Sequence, residues 1–173
     1  MTSLLTIVKS LAMTNSENHE GSVPDFGEES GVDLQASWDA ELAAAGFSFV
    51  SGQLRNASYL AEEFPRAVDL DEVAESVIFT SPISGRIDAV RNFMVREGIT
   101  PASPQHAPAS ARILRGHASV FIPQEAVSED GYGRRQMAML SRGDEGCMFG
   151  IDRYFAGKEW NVGNKFLGVR KRT

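Results

Sequence analysis

The sequence predicts an α+β fold: N-terminal helices followed by an antiparallel β-meander of about four strands. Three observations lead there. Before residue 100, apolar residues recur at i, i+3, i+4 and i+7, the spacing of one helix face. After residue 111 they alternate with polar residues in four short runs separated by turn residues. Between the two lies "TPASPQHAPASA", Thr100 to Ala111, with three prolines and no charged residue. A chain of 173 residues that is 42% hydrophobic can bury a core, so residues 32–173 are expected to form one domain.

Residues 1–31 read as an N-terminal amphipathic segment and an acidic linker. Leu4, Val8, Leu11 and Ala12 suit a helix over 3–13, whereas 14–31 hold almost nothing to bury. A helix so short is not stable alone, so it should dock on its own domain or on another chain, a second copy included. Residues 32–99 form the helical part. Leu34, Trp38, Leu42 and Ala45 share a face and Gly46 ends that helix. Phe47 and Phe49 alternate before a Ser-Gly pair, which predicts a short strand or hairpin. Asn56 caps a helix carrying Ala57, Leu60, Ala61 and Phe64, which Pro65 stops. Leu70, Val73, Ala74 and Val77 predict another helix. Ser81 and Pro82 then open one carrying Ile83, Ile87, Val90 and Met94, closed by Gly98. Residues 100–111 are expected to be an extended connector. Residues 112–173 form a basic, β-rich part, with strands at Leu114–Ile122, "QMAMLSR", "CMFGIDRYF" and "KFLGVRKR".

The net charge of -6 conceals a division. Residues 1–80 carry 3 Lys+Arg against 14 Asp+Glu, and residues 81–173 carry 14 against 9. Either the halves pack together and neutralise each other, or each presents a surface to a partner. On the acidic side the candidates are Glu62, Glu63, Asp69, Asp71 and Glu72. They would suit a protein that occupies a basic surface as an inhibitor or charge mimic. On the basic side the arginines include Arg112, Arg115, Arg142 and Arg153. The candidates for phosphate are Arg134, Arg135, Arg170, Lys171 and Arg172, because guanidinium forks match phosphate oxygens. Tyr132, Tyr154, Phe155, Trp160 and Phe166 lie near them in sequence and could stack on bases.

The stretch "LDEVAESVIFTSPISGRIDAVRNFMVREG" resembles the winged helix-turn-helix family in its apolar spacing, with a β-rich segment following. The resemblance spans about thirty residues and departs from the usual turn, where Ile78 and Phe79 replace a glycine. It implies a recognition helix with Asn92 and Arg96 turned outward toward nucleic acid, although Asp88 shares that face and would repel phosphate.

Several chemistries find little support. The sole cysteine, Cys147, excludes an internal disulfide and a Cys-rich zinc site. His19, His106 and His117 are dispersed, so no metal is expected. GxGxxG, GxxxxGK[ST] and GxSxG are absent, and no cofactor is expected. The one nucleophile–base pair in view is Cys147 with His117, oriented by Asp144 or Asp130, which would make a cysteine-dependent hydrolase or transferase. No apolar run reaches the length of a membrane span, and the start lacks the pattern of a secretory signal, so a cytoplasmic setting is expected. Taken together, these readings favour a small accessory or regulatory protein that acts by binding a protein or nucleoprotein complex. Nucleic-acid binding and thiol catalysis are the alternatives.

Overall fold

The structure, a computed structural model, describes residues 27–65, 72–113 and 117–172. Helix α1 (Gly27–Ala45) buries Trp38 and Leu42 and ends at Gly46, whose φ of 70° suits glycine. It begins at Gly27, inside the stretch read as linker; the 3–13 segment lies outside the described residues. Strand β1 (Phe49–Val50) leads into a single helical turn, α2 (Gly52–Arg55), where a hairpin was an alternative. Helix α3 (Ala57–Glu63) is capped as expected, with the Tyr59 N–H donating to Asn56 Oδ1 at 3.0 Å. The indole N–H of Trp38 donates to the Leu54 carbonyl at 2.8 Å and ties α1 to α2.

Val73–Thr80 is not a helix but strand β2. Strand β2 lies along β7 (Lys165–Lys171) with a bulge between Val73 and Glu75. Phe79 and Val77 join one core cluster, Val73 and Ile78 the other. A strand covered on both faces reads as a nearly continuous apolar run, and the bulge moves Val73 out of alternation, so the pattern imitates a helix. A strand in place of the first helix also removes the helix pair behind the winged-helix resemblance. The second helix, α4, exists but is shorter, Ile87–Arg96. It buries Ile87, Val90 and Met94, and Gly98 closes it at φ 70°. Ser81, the expected cap, instead bonds through its backbone to Asn164 and Gly163. Ile83 therefore sits in a loop.

The expected extended connector is compact and buried. It contains a two-residue strand β3 (Thr100–Pro101), a 3-10 turn (Pro104–His106) and one helical turn, α5 (Ala107–Ser110). Small uncharged residues pack tightly, and Pro104 and Pro108 sit in first turns, where the missing N–H costs nothing. Buried Gln105 donates to the carbonyls of Leu60 and Phe64 at 3.0 and 2.9 Å, satisfying the end of α3.

Four C-terminal strands follow: β4 (Ser119–Glu125), later than the expected Leu114–Ile122, whose first residues 114–116 lie outside the described ones, then β5 (Arg135–Gly143), β6 (Gly146–Tyr154) and β7. They do not form a simple antiparallel meander. Strands β4, β5 and β6 do meander, but β7 returns to the far side of β4 and runs parallel to it. The result is a mixed seven-stranded sheet in the order β1-β6-β5-β4-β7-β2, with β3 also on β7. The helices are likewise not all N-terminal.

Each face of the sheet is covered. On one, Trp38, Leu42, Leu54, Leu60 and Ala107 meet Val120, Ile122, Leu140, Phe149, Leu167 and Val169. On the other, α4 and Trp160 meet Phe79, Met137, Tyr154 and Phe166. Burying each such aliphatic or aromatic side chain contributes about 1.5–3 kcal/mol. Gly168 lies on the second face beneath the end of α4. A Cβ there would collide with the Ile99 side chain and approach Met94 Cε at 2.9 Å. Gly168→Ala should therefore destabilise the protein by about 1–3 kcal/mol, read as a lowered midpoint in urea unfolding with an unchanged slope.

Candidate functional site

Where β4 begins, β5 ends and β6 begins, the sheet opens into a cavity of about 280 Å³. Ala45 and Gly46 at the end of α1 form one wall, and Ala111 and Arg112, just after α5, form another. The sheet supplies Val120, Leu140, Ser141, Arg142, Gly146 and Cys147, and His117 lies just before β4. No aspartate or glutamate is among these lining residues. The end of α1 presents backbone carbonyls and partial negative charge, which favours cationic side chains around it and disfavours an anion set directly against that wall. Lys165 adds a further cation, its Nζ lying 2.9 Å from His117 Nδ1. An ammonium can only donate, so Nδ1 is the acceptor in this pair and the ring proton lies on Nε2.

The structure thus brings His117 and Cys147 into the lining of one cavity. Burial pushes the Cys147 thiol up, favouring the neutral, unreactive form. The Lys165 ammonium occupies Nδ1 of His117, so a further partner would meet the ring at Nε2. Asp144 is exposed on the β5–β6 turn and does not line the cavity.

The other sequence candidates lie apart and are largely engaged within the fold. Arg134 pairs with Asp130 at 2.7 Å and Arg135 with Glu125 at 3.2 Å. Arg170 pairs with Glu75 and Lys171 with Glu72, joining the acidic and basic halves across β2 and β7. The backbone N–H of Arg172 donates to the Glu72 carbonyl. Glu63 accepts from both the backbone and the hydroxyl of Ser128, while Glu62 is exposed beside it. Asp69 and Asp71 lie outside the described residues. Asn92 and Arg96 are exposed on α4, well away from the cavity wall. Of the aromatics proposed for stacking, Tyr154, Trp160 and Phe166 are buried. Tyr132 and Phe155 are exposed, but at the opposite end of β5 and β6, roughly 25 Å from the cavity along the strands. Among the described residues no group of three metal-ligating side chains could hold a metal ion.

A second polar cluster lies toward that opposite end. Glu125 accepts from Tyr154 Oη at 2.7 Å, Arg91 Nη2 at 3.0 Å and Arg135 Nη1 at 3.2 Å. Arg91 Nε also donates to the carbonyl of Pro123, at the bulge of β4. Burial pushes the Glu125 carboxyl up, but the Tyr154 hydrogen bond and the two guanidinium groups outweigh it, and the acid ends below its ordinary value. Burial, reinforced by the neighbouring carboxylate, pushes the Tyr154 phenol far above its ordinary value. These groups hold α4, β4, β5 and β6 together. Another buried pair, Ser103 Oγ and His106 Nδ1 at 2.8 Å, belongs to the cap of the 3-10 turn.

No family model matches this chain, and neither a curated protein nor a solved structure matches it. The functional reading therefore rests on the cavity. Arg112 and Arg142 were visible as arginines in the basic half, but nothing in their spacing singled them out. Lys165 is separated from His117 by 48 residues and meets it only through the parallel pairing of β4 and β7.

Because the Glu125 carboxyl is held below its unfolded value, its stabilisation is fully present above about pH 4.3 and is lost as pH falls through its folded value. Glu125→Gln should lower unfolding stability by about 2 kcal/mol at pH 7. The gap between the two proteins should narrow below about pH 4 in urea titrations.

Proposed function

We propose that this chain is a binding protein that receives a phosphate-bearing ligand in the cavity lined by Arg112, His117 and Arg142. One observation carries the reading: Arg112, His117 and Arg142 line a common space whose lining includes no aspartate or glutamate. Guanidinium forks bind phosphate oxygens in pairs, and a His117 Nε2–H adds a neutral donor. Lys165 supplies charge behind the ring. A cavity of this size admits a phosphate with part of its ester group, as a terminal nucleotide or a phosphorylated side chain would present. The role that fits is accessory or regulatory, with a protein or nucleoprotein complex supplying the phosphate.

Strand-tracking nucleic-acid binding has less support, because the exposed aromatics stand at the far end of the sheet. The acidic-mimic reading has less as well, because Glu63, Glu72 and Glu75 already accept donors from the chain itself. Thiol catalysis is the alternative reading, favoured by the shared cavity of Cys147 and His117 and opposed by the burial that pushes the Cys147 thiol up.

Calorimetric titration with pyrophosphate, nucleoside monophosphates and short oligonucleotides tests this. Binding should weaken as salt rises, and the double change Arg112→Ala and Arg142→Ala should reduce affinity by about tenfold or more. Arg134→Ala with Arg135→Ala should leave it within about twofold. Cys147→Ala should bind like the native chain. Binding that ignores the cavity arginines and disappears with Arg134 and Arg135 would overturn the assignment.

A further inference from the structure

The loop between β6 and β7 carries Lys158 into a set of aromatic rings. Its Nζ lies 4.2 Å from the ring centroid of Trp160, 5.1 Å from that of Tyr154 and 5.8 Å from that of Phe121. The rings stand steeply to one another, Trp160 at 86° to Tyr154 and at 66° to Phe121, so they form walls and not a stack. Asp152 closes the arrangement with a carboxylate oxygen 2.8 Å from the same Nζ. Three ring faces and one carboxylate around a single cation are the recognition chemistry for an ammonium group.

Each wall is held by something other than the lysine. Phe121 belongs to β4, and Asp152 and Tyr154 to β6. Tyr154 is anchored through its hydroxyl to Glu125. Trp160 exchanges two backbone hydrogen bonds with Gly85, at 3.0 and 2.8 Å, and is packed against Phe166. The indole N–H of Trp160 has no acceptor among the described residues, so packing, backbone and cation hold that ring, not a side-chain hydrogen bond. Lys158 itself keeps about a third of its side chain in solvent while covering a Trp160 that is 2% exposed.

We infer that Phe121, Tyr154, Trp160 and Asp152 form a preformed binding site for a methylated ammonium group, which the chain keeps occupied with its own Lys158. A primary ammonium is strongly hydrated and gives up much to enter such a cage. A methylated ammonium is less hydrated and presents polarised methyl groups to the ring faces, so it is the cation able to displace a tethered lysine. Lys158 then acts as an intramolecular competitor that sets the affinity threshold, and a ligand that overcomes it frees the 155–159 side of the loop.

Lys158→Ala removes the competitor and leaves the walls in place. The probe is tetramethylammonium chloride against sodium chloride at equal ionic strength, followed by the indole N–H resonance of Trp160 in nitrogen-15 spectra, with Trp38 as the internal reference. The expected result is a saturable shift confined to Trp160, with an apparent affinity about tenfold or more above that of the native chain. Adding Phe121→Leu should remove it. If Lys158→Ala does not fold, Lys158→Gln, which keeps the apolar stem and removes the charge, carries the same test. A shift that fails to saturate, appears equally at Trp38, or is the same in the native chain and the variant would overturn the proposal.

Discussion

Phe166, Leu167, Gly168 and Val169 are four consecutive residues of β7, all buried, and they face alternately to the two sides of the sheet. Everything else is arranged around this requirement. Two apolar faces on one strand need two cores, so α1, α2, α3 and α5 close over one side and α4 with the Trp160 loop over the other. Strand β7 pairs with β2 along one edge and shares its other edge between β4 and β3. That shared edge places Lys165 beside His117 and seats the turn after α4 on Gly168. A single strand thereby connects the fold to the candidate site.

The charge division has its explanation in the same pairing. Strand β2 comes from the acidic half and β7 from the basic half, and Glu72 and Glu75 meet Lys171 and Arg170 where the two lie side by side. Such exposed pairs contribute little stability each. Their consequence is for recognition, since they reduce the free charge that either half can show a partner. Arg112, His117 and Arg142 line the cavity between β4, β5 and β6, at the end of α1. At the other end of those strands, charge is embedded among aromatic rings and serves α4, β4 and the Lys158 loop. On the proposed readings, the two ends of one meander would serve opposite chemistry: donors for an anion at one, ring faces for a cation at the other.

The amphipathic helices with clear stops were legible in the sequence. Trp38 and Leu42 on α1, Asn56 and Leu60 on α3, and Val90 and Met94 on α4 follow a single 3.6-residue period, because each helix is buried on one stripe. The strands of the second half were legible for the same kind of reason. Their order was not, since alternation says which face a residue takes and nothing about which neighbour the strand finds. Strand β2 was misread because two-sided burial erases its period. The connector was misread because proline and small residues suit both an extended linker and a tight buried turn, and the choice depends on whether a core waits to receive them. For the site, Cys147 and His117 were named from residue type, but Arg112, Arg142 and Lys165 could not be, being scattered along the chain and joined only by strand ends.

What the sequence by itself determined, then, are local properties: helix stripes, caps, turn glycines, the lone cysteine and the unequal charge of the two halves. The stripes, caps and turns follow from residues within about one or two turns of one another, where steric and hydrogen-bonding preferences act directly, and the cysteine and the charge are simple counts along the chain. The tertiary structure alone decided that β7 returns beside β4, that acidic and basic halves neutralise each other across β2 and β7, and that a histidine meets a lysine 48 residues away. These are pairings between distant segments. They are selected by the burial of two whole faces of a sheet at once, a condition to which no short stretch of sequence has access.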